Sequence, residues 1–175
     1  MAQREVEVFE RVVLPHLDDA YALARNLLRD EHDAQDVVQE AVLRGIRYFD
    51  GFRGGDPRAW LLAIVRNCCH TWHRRRTESG VMVSYTDAES APQLHDGQTA
   101  DALALQSSER AVIARALDAL PIEFREVIVL RELNEMSYKE IATITGVPVG
   151  TVMSRLARGR KRLASLLGLH VREAS

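Results

Sequence analysis

The segment from Ser137 to Leu163 constrains the fold more than any other, because it contains signals that end one short helix and begin another. Ser137 and Glu140 have the spacing of a capping box, in which each side chain bonds the other residue's backbone N–H. Gly146 permits a sharp turn, and Pro148 suits the first turn of a following helix, where its missing N–H would be unpaired anyway. The segment therefore predicts two short helices joined by a tight turn.

The second of these helices has an apolar side and a polar, basic sector. On a helical wheel the apolar side carries Val152, Leu156, Gly159, Leu163, Leu166 and Leu167. The flanking polar sector carries Thr151, Ser154, Arg155, Arg158 and Arg162. A helix-turn-helix presents its recognition helix to the DNA major groove in this way. An amphipathic core helix with a solvated basic face is the alternative interpretation.

The bulk composition excludes several classes of protein. The chain has 175 residues, of which 46% are hydrophobic, enough for one domain or two small ones. The longest apolar runs, such as Trp60–Val65, are far too short to cross a membrane, and the charged N-terminus lacks the apolar core of a signal peptide. Two adjacent cysteines, Cys68 and Cys69, cannot form a disulfide framework. We therefore expect a cytoplasmic protein without membrane insertion.

Charge is distributed unevenly along the chain. The net charge of −2 is unusual for a DNA-binding domain, but residues 77–108 contain no Lys or Arg, and residues 30–40 contain five carboxylates. Positive charge gathers instead in Arg66–Arg76 and Arg155–Arg162. Separate basic and acidic segments predict several different partners.

Apolar residues recur at helical spacing through most of the chain, and no strand pattern competes with them. Asp33 offers a cap for a helix that runs to about Phe49, and Asp56 with Pro57 begins another that ends near Arg76. We expect an all-α fold of two small helical domains, residues 1–76 and 109–175, the second containing the helix-turn-helix. Residues 77–108 are expected to form a flexible acidic linker between them.

No catalytic constellation, phosphate-binding loop or dinucleotide fingerprint occurs in the sequence, so we expect no enzyme and no cofactor. Cys69 and His73 stand four residues apart and would share a helix face, the spacing of two metal ligands. The favoured interpretation is that the cysteine packs as a small apolar residue and that His70 and His73 decorate a basic helix. We therefore assign no metal.

Seven short motifs follow one another along nearly the whole chain. They are Asp33–Glu40, Phe52–Gly55, Trp60–Asn67, Leu120–Pro121, Leu130–Leu133, Ser137–Ala142 and Gly150–Leu156. In this order and spacing the chain resembles an extracytoplasmic-function (ECF) sigma factor of the sigma-70 family. The resemblance implies that the first domain binds bacterial core RNA polymerase and opens the promoter −10 element, and that the second binds the −35 element of promoter DNA. It also implies an anti-sigma factor as a partner.

The resemblance places Asp36, Gln39 and Glu40 on the helix that docks against the polymerase clamp. An acidic and apolar surface suits a basic partner. The alternative, that these carboxylates only favour a helix N-terminus, explains Asp33 and Asp36 but not Glu40.

The glycine-rich loop around Phe52 resembles the segment that captures a flipped non-template base. The candidates for contact with the −10 element are Tyr48, Phe52, Arg53 and Asn67 for bases, and Arg74 and Arg75 for phosphates. The alternative for Phe52 is a loop anchor. Trp60 lies in an apolar run and is expected in the core.

The second domain holds the candidates for the −35 element, which are Arg131, Thr151, Ser154, Arg155 and Arg158. Arg can bond guanine O6 and N7, whereas Thr151 and Ser154 can hold phosphate near the helix start. Met153 stands where a basic residue is common in the family, so the −35 consensus of relatives does not transfer. A stand-alone helix-turn-helix regulator is the alternative function; it leaves the acidic surface and the glycine-rich loop without a role.

Overall fold

A computed structural model of the chain describes residues 3–80 and 100–168, and these contain helices and turns without any strand. The first domain comprises α1 (Gln3–Val12), α2 (Leu17–Leu28), α3 (Glu31–Tyr48) and α4 (Pro57–Glu78), with short 3-10 turns at Leu14–His16 and Phe49–Gly51. The second comprises α5 (Ala100–Asp118), α6 (Ile122–Ile128), a π-helical continuation at Val129–Leu133, α7 (Tyr138–Thr145) and α8 (Val149–Leu166). The predicted all-α fold is confirmed for the described residues.

The start of α3 differs from the prediction by three residues. The cap is Asp30, whose carboxylate accepts a hydrogen bond from the Asp33 backbone N–H at 2.9 Å, so Asp33 already lies inside the helix. Arg29 ends α2 in a left-handed conformation with φ of 68°, which leaves Asp30 as the first extended residue before the helix. The predicted start of α4 is confirmed, since Asp56 caps the Arg58 N–H and Pro57 is the first helical residue.

The segment predicted as a linker is shorter in the structure. Helix α4 continues to Glu78 and α5 begins at Ala100, so residues 100–108 are helical, in keeping with an alanine- and leucine-rich sequence of high helix propensity. The remainder of the predicted acidic linker, residues 81–99, lies outside the described residues.

The core of the first domain forms where α2, α3 and α4 pack against one another. Its fully buried side chains include Leu23, Leu27, Leu61, Leu62 and Val65. At one end of this core Phe9, Phe49 and Trp60 form edge-to-face aromatic pairs. Trp60 is partly buried there, which agrees with the expectation that it packs rather than stacks on a base.

The helix-turn-helix has the local structure that its sequence predicts. The Glu140 carboxylate accepts from the Ser137 N–H at 2.6 Å, and the Ser137 hydroxyl accepts from the Glu140 N–H at 3.2 Å. Gly146 ends α7 with φ of 71°, and Pro148 is the residue that caps α8 rather than its first helical residue. A Cβ at Gly159 would lie 2.9 Å from the Ile128 Cδ1 atom, so the glycine lets α6 pack closely on α8.

The two domains pack directly on each other, with α4 against α7 and α2 against α5 and α6. Arg66 of α4 donates from Nε to the Glu126 Oε2 atom of α6 at 2.9 Å. Arg29, which follows α2, pairs with Asp118 of α5 at 2.7 Å. None of the helices in the described part of the chain is long and apolar enough to span a bilayer.

Candidate polymerase and nucleic-acid surfaces

The three residues predicted to contact polymerase lie together on the exposed side of α3. Asp36, Gln39 and Glu40 are all exposed, whereas Val37 and Ala41 are buried on the opposite side. The Glu40 carboxylate accepts from the Arg44 Nε atom at 2.7 Å one helical turn later. Pairs of this kind between exposed side chains contribute little stability, so Glu40 remains available to a partner.

An open cleft of about 250 Å³ lies between α3 and α4. Asp36 and Glu40 line it from α3, and Trp72 and Arg75 line it from α4. Cys68 also lines the cleft, and burial raises the pKa of its thiol and keeps it neutral. The cleft therefore brings the predicted polymerase surface next to one of the residues predicted to contact DNA phosphates.

The loop predicted to capture a base is anchored by its aromatic residue. The ring of Phe52 stacks on Phe49 with centroids 5.7 Å apart and lies 5.2 Å from the Trp60 ring. Phe52 is thus a loop anchor in this structure, and its contact with a flipped base stays a prediction. Tyr48, just before the loop, is 62% exposed, and Arg53 is also exposed.

The other candidates for the −10 element are exposed residues of α4. Asn67 and Arg74 lie two turns apart on nearly the same side of the helix, and Arg75 lies on the neighbouring side. The Arg74 guanidinium lies 3.9 Å from the Glu78 carboxylate, and both side chains are largely exposed. Arg76 stacks over the Trp72 ring at 4.6 Å. This arrangement gives α4 a basic, solvent-facing end.

The polar sector of α8 is exposed over much of its length. Ser154 and Arg158 face solvent, and the Ser154 hydroxyl donates to the Thr151 carbonyl at 3.0 Å. The guanidinium groups of Arg158 and Arg162 lie over the Phe124 ring at 5.7 and 4.8 Å, so both charged heads rest against the domain although the two residues are exposed.

Two of the residues predicted to contact the −35 element have partners within the protein. The Arg155 Nη1 atom lies 3.6 Å from the Glu126 Oε1 atom, and the Arg155 side chain is only 24% exposed. Arg131 donates from Nη1 to the Met136 carbonyl at 2.9 Å and lies over the Tyr138 ring. Both residues support the local fold, and their contact with DNA stays a prediction.

Sequence reasoning missed Glu126, the most buried carboxylate among the described residues, with 1% of its side chain exposed. Burial raises its pKa, but hydrogen bonds from His70 at 2.7 Å and Arg66 at 2.9 Å outweigh burial, so the pKa lies below its usual value. The available signal was a glutamate directly before the apolar run Val127–Leu130. Glu126 joins α4 of the first domain to α8 of the second through Arg66, His70 and Arg155.

The possible metal ligands are engaged elsewhere. Cys69 is fully buried, and burial strongly raises the pKa of its thiol. The His73 Nε2 atom lies 3.0 Å from the Leu27 carbonyl oxygen, and burial lowers the pKa of this imidazole. Within the described residues no three metal-ligating side chains come together.

Comparison with protein families accounts for both domains. Residues 12–78 match the family profile described as Sigma-70 region 2, and residues 110–163 match Sigma-70, region 4. The chain is 32% identical over 172 residues to the RNA polymerase sigma-H factor of Pseudomonas aeruginosa, a match covering 95% of this chain and 89% of that protein. The chain belongs to the ECF sigma factors of the sigma-70 family.

Other relatives agree with this assignment. The sigma factor is 36% identical over 137 residues to the ECF RNA polymerase sigma-E factor of Escherichia coli, covering 75% of this chain and 72% of that one. It is 32% identical over 173 residues to the ECF RNA polymerase sigma factor SigE of Mycolicibacterium smegmatis, covering 99% of this chain and 66% of that protein.

Solved structures share the fold of this sigma factor. The sigma factor RpoE from Bartonella quintana, solved in complex with the anti-sigma factor NepR, has a TM-score of 0.74 at 28% identity, covering 94% of this chain and 99% of that one. CnrH, solved in complex with the cytosolic domain of CnrY, has a TM-score of 0.65 at 27% identity, covering 93% and 88%. A stand-alone helix-turn-helix regulator is not favoured, because that function leaves the region 2 match unexplained.

Proposed function

We propose that the two domains of this sigma factor divide promoter recognition between them. The region 2 domain binds core RNA polymerase through the α3 face and opens the −10 element with the loop after α3 and with α4. The region 4 domain binds the −35 element with α8. The observation that carries this proposal is the exposed polar and basic sector of a capped helix-turn-helix joined in one chain to a separate acidic face on α3.

Charge and shape support the polymerase contact. Asp36, Gln39 and Glu40 present carboxylate and amide groups on one exposed helix face, next to the open cleft between α3 and α4. Complementary charge steers a basic partner to such a face and fixes its orientation.

The −10 proposal gives different roles to the aromatic residues. Capture of an extruded base costs a few kcal/mol, which stacking and hydrogen bonds to the base edge can offset. Tyr48 is largely exposed and offers a stacking surface, whereas Phe52, packed between Phe49 and Trp60, holds the loop in place. Arg53 in the loop and Asn67 on α4 then contribute polar contacts.

We further infer that the protein has no catalytic activity of its own, acts in the cytoplasm and is restrained by an anti-sigma factor. The first inference is supported by its family and by a sequence without a catalytic constellation. The last is supported by its likeness to RpoE and CnrH, whose structures contain the anti-sigma factor NepR and the cytosolic domain of CnrY.

The test compares binding of the full chain to bacterial core RNA polymerase with its binding to duplex promoter fragments in the absence of polymerase. We expect tight association with core enzyme, weak binding to free duplex, and promoter-dependent transcription only when both are mixed. Tight duplex binding without core association would overturn the proposal and favour the stand-alone regulator.

A further inference from the structure

The first two turns of α8 expose apolar side chains that the protein core does not use. Val149 is 38% exposed and Met153 is 53% exposed. Val152 and Leu156 form the core-facing side of the same helix and are fully buried. Val149 and Met153 are therefore not required for packing of the domain.

These two residues belong to one narrow, open stripe. Val149 and Met153 are four residues apart and lie one above the other on the helix surface, with Ala157 continuing the row after another turn. Gly150, beside Val149, is exposed, and a Cβ built on it would meet no atom within 4 Å. No other part of the described chain covers this stripe.

The residues beside the stripe indicate which class of partner it contacts. Ser154, the residue after Met153, and Arg158, the residue after Ala157, are exposed beside the stripe. N-terminal residues of a recognition helix approach base edges in the major groove, while flanking cations contact phosphates. An apolar stripe bordered by an exposed serine and an exposed arginine at the start of a recognition helix suits duplex DNA rather than an apolar protein groove.

Among the groups that base pairs display in the major groove, the thymine C5-methyl group is apolar. A methionine thioether offers neither the donors that guanine O6 and N7 require nor the paired donor and acceptor that adenine requires. We propose that Met153, assisted by Val149, contacts a thymine methyl group in the −35 element and so makes an A·T pair preferred at that position. This inference rests on the proposed function of α8 as the −35 recognition helix.

The experiment first selects preferred −35 sequences from a randomised library with holoenzyme assembled from core polymerase and the full chain. The selected thymine is then replaced by uracil, which lacks only the methyl group. Removal of one buried methyl corresponds to about a fourfold loss of affinity. We expect wild-type holoenzyme to bind the uracil promoter about fourfold more weakly, and the Met153→Ala holoenzyme to bind thymine and uracil promoters equally.

Two further variants sharpen the test. Leu166→Ala is the matched control, because Leu166 is 50% exposed on the same helix but far from its N-terminus, and it should keep the wild-type ratio of thymine to uracil binding. Met153→Arg should shift the selected base at the same position from thymine to guanine. Neither exposed position contributes to the core, so both variants should fold.

The outcomes separate this inference from the proposed function. If binding depends on the −35 sequence but the wild-type protein does not distinguish thymine from uracil, the methyl contact is overturned and the role of α8 stands. If Met153→Ala keeps the wild-type ratio, another residue contacts the methyl group and the assignment is overturned. If binding does not depend on the −35 sequence at all, the role of α8 fails and this inference fails with it.

Discussion

The ion pairs of Glu126 reach a residue that is predicted to contact DNA. Arg155 belongs to the predicted DNA-contacting sector, yet its guanidinium lies 3.6 Å from a buried carboxylate. Glu126 in turn is held by Arg66 and His70. A buried charge is tolerated only when it is paired and hydrogen-bonded, and here three basic side chains from both domains provide the pairing.

Glu126→Gln removes that charge and replaces one of the two acceptor oxygens that Arg66 and His70 contact with an NH2 donor. We expect the free energy of unfolding to fall by about 3 kcal/mol, as is typical when one partner of a buried ion pair is removed. Urea denaturation of the full chain measures the change. Glu132→Gln is the matched control, because Glu132 pairs with Arg160 at 3.1 Å where both are about half exposed, and it should cost less than about 1 kcal/mol. Equal losses for the two variants would contradict the assignment.

His73 predicts a pH dependence of stability. Burial is the main reason that its pKa is lowered in the folded protein, and Arg125, His70 and Arg29 add positive charge nearby. The unfolded chain therefore binds a proton at His73 as pH falls through about 6.5, whereas the folded chain resists it until lower pH. We expect the urea midpoint to fall between pH 7 and pH 5.

The control for this pH dependence is a pair of variants. His73→Gln keeps a donor for the Leu27 carbonyl but removes the titration, so the decline between pH 7 and pH 5 should flatten. His32→Gln, at an exposed position on α3, should leave the decline as it is. A decline that is unchanged in His73→Gln would show that another group is responsible.

At the scale of the helix, α3 combines a buried side that builds the domain with an exposed acidic side. Glu40→Lys reverses one charge on the exposed side without touching the core. We expect the affinity for core polymerase to fall at least about tenfold. Like charges placed opposite each other at an interface cost up to several kcal/mol, and a tenfold loss corresponds to about 1.4 kcal/mol. Titration of core enzyme with the fluorescently labelled sigma factor measures this affinity.

The control is Glu10→Lys, which reverses an exposed charge on α1 and should bind core polymerase normally. Equal losses of affinity for the two variants would argue for a general charge effect.

Helix boundaries show what local sequence can predict. The Ser137–Glu140 capping box, the turn at Gly146 and the Asp56–Pro57 start depend on neighbouring residues alone, and the sequence predicts each of them. The start of α3 was predicted three residues late, because Asp30 and Asp33 are both good caps and only the left-handed Arg29 decides between them. The partners of Glu126 and Arg155 could not be predicted, since they depend on contacts between residues far apart in the chain.

At the scale of the whole molecule, the packed domains are too compact to contact both promoter elements at once. The −35 and −10 elements are named by their positions on the promoter and lie about 25 base pairs apart. This separation is about 85 Å along B-form DNA at 3.4 Å per base pair. A packed body of roughly 150 residues has a radius of gyration of only about 15 Å. Residues 79–99 separate α4 from α5, and a chain of that length reaches at most about 70 Å. Simultaneous contact therefore requires the domains to separate.

The contact between Arg66 and Glu126 opposes that separation, because it joins α4 directly to α6 with two hydrogen bonds at 2.9 and 3.1 Å. Arg66→Ala removes both bonds and leaves a buried carboxylate at the interface, which favours its exposure to water. We expect a larger radius of gyration by small-angle scattering, with helix content by circular dichroism unchanged because the helices within each domain still pack on one another. Arg47→Ala, at an exposed position on α3, should scatter like the wild type. If Arg66→Ala scattered like the wild type too, the other contacts between the domains, such as those between α4 and α7, would hold the packing, and the buried ion pair would serve only to orient the domains.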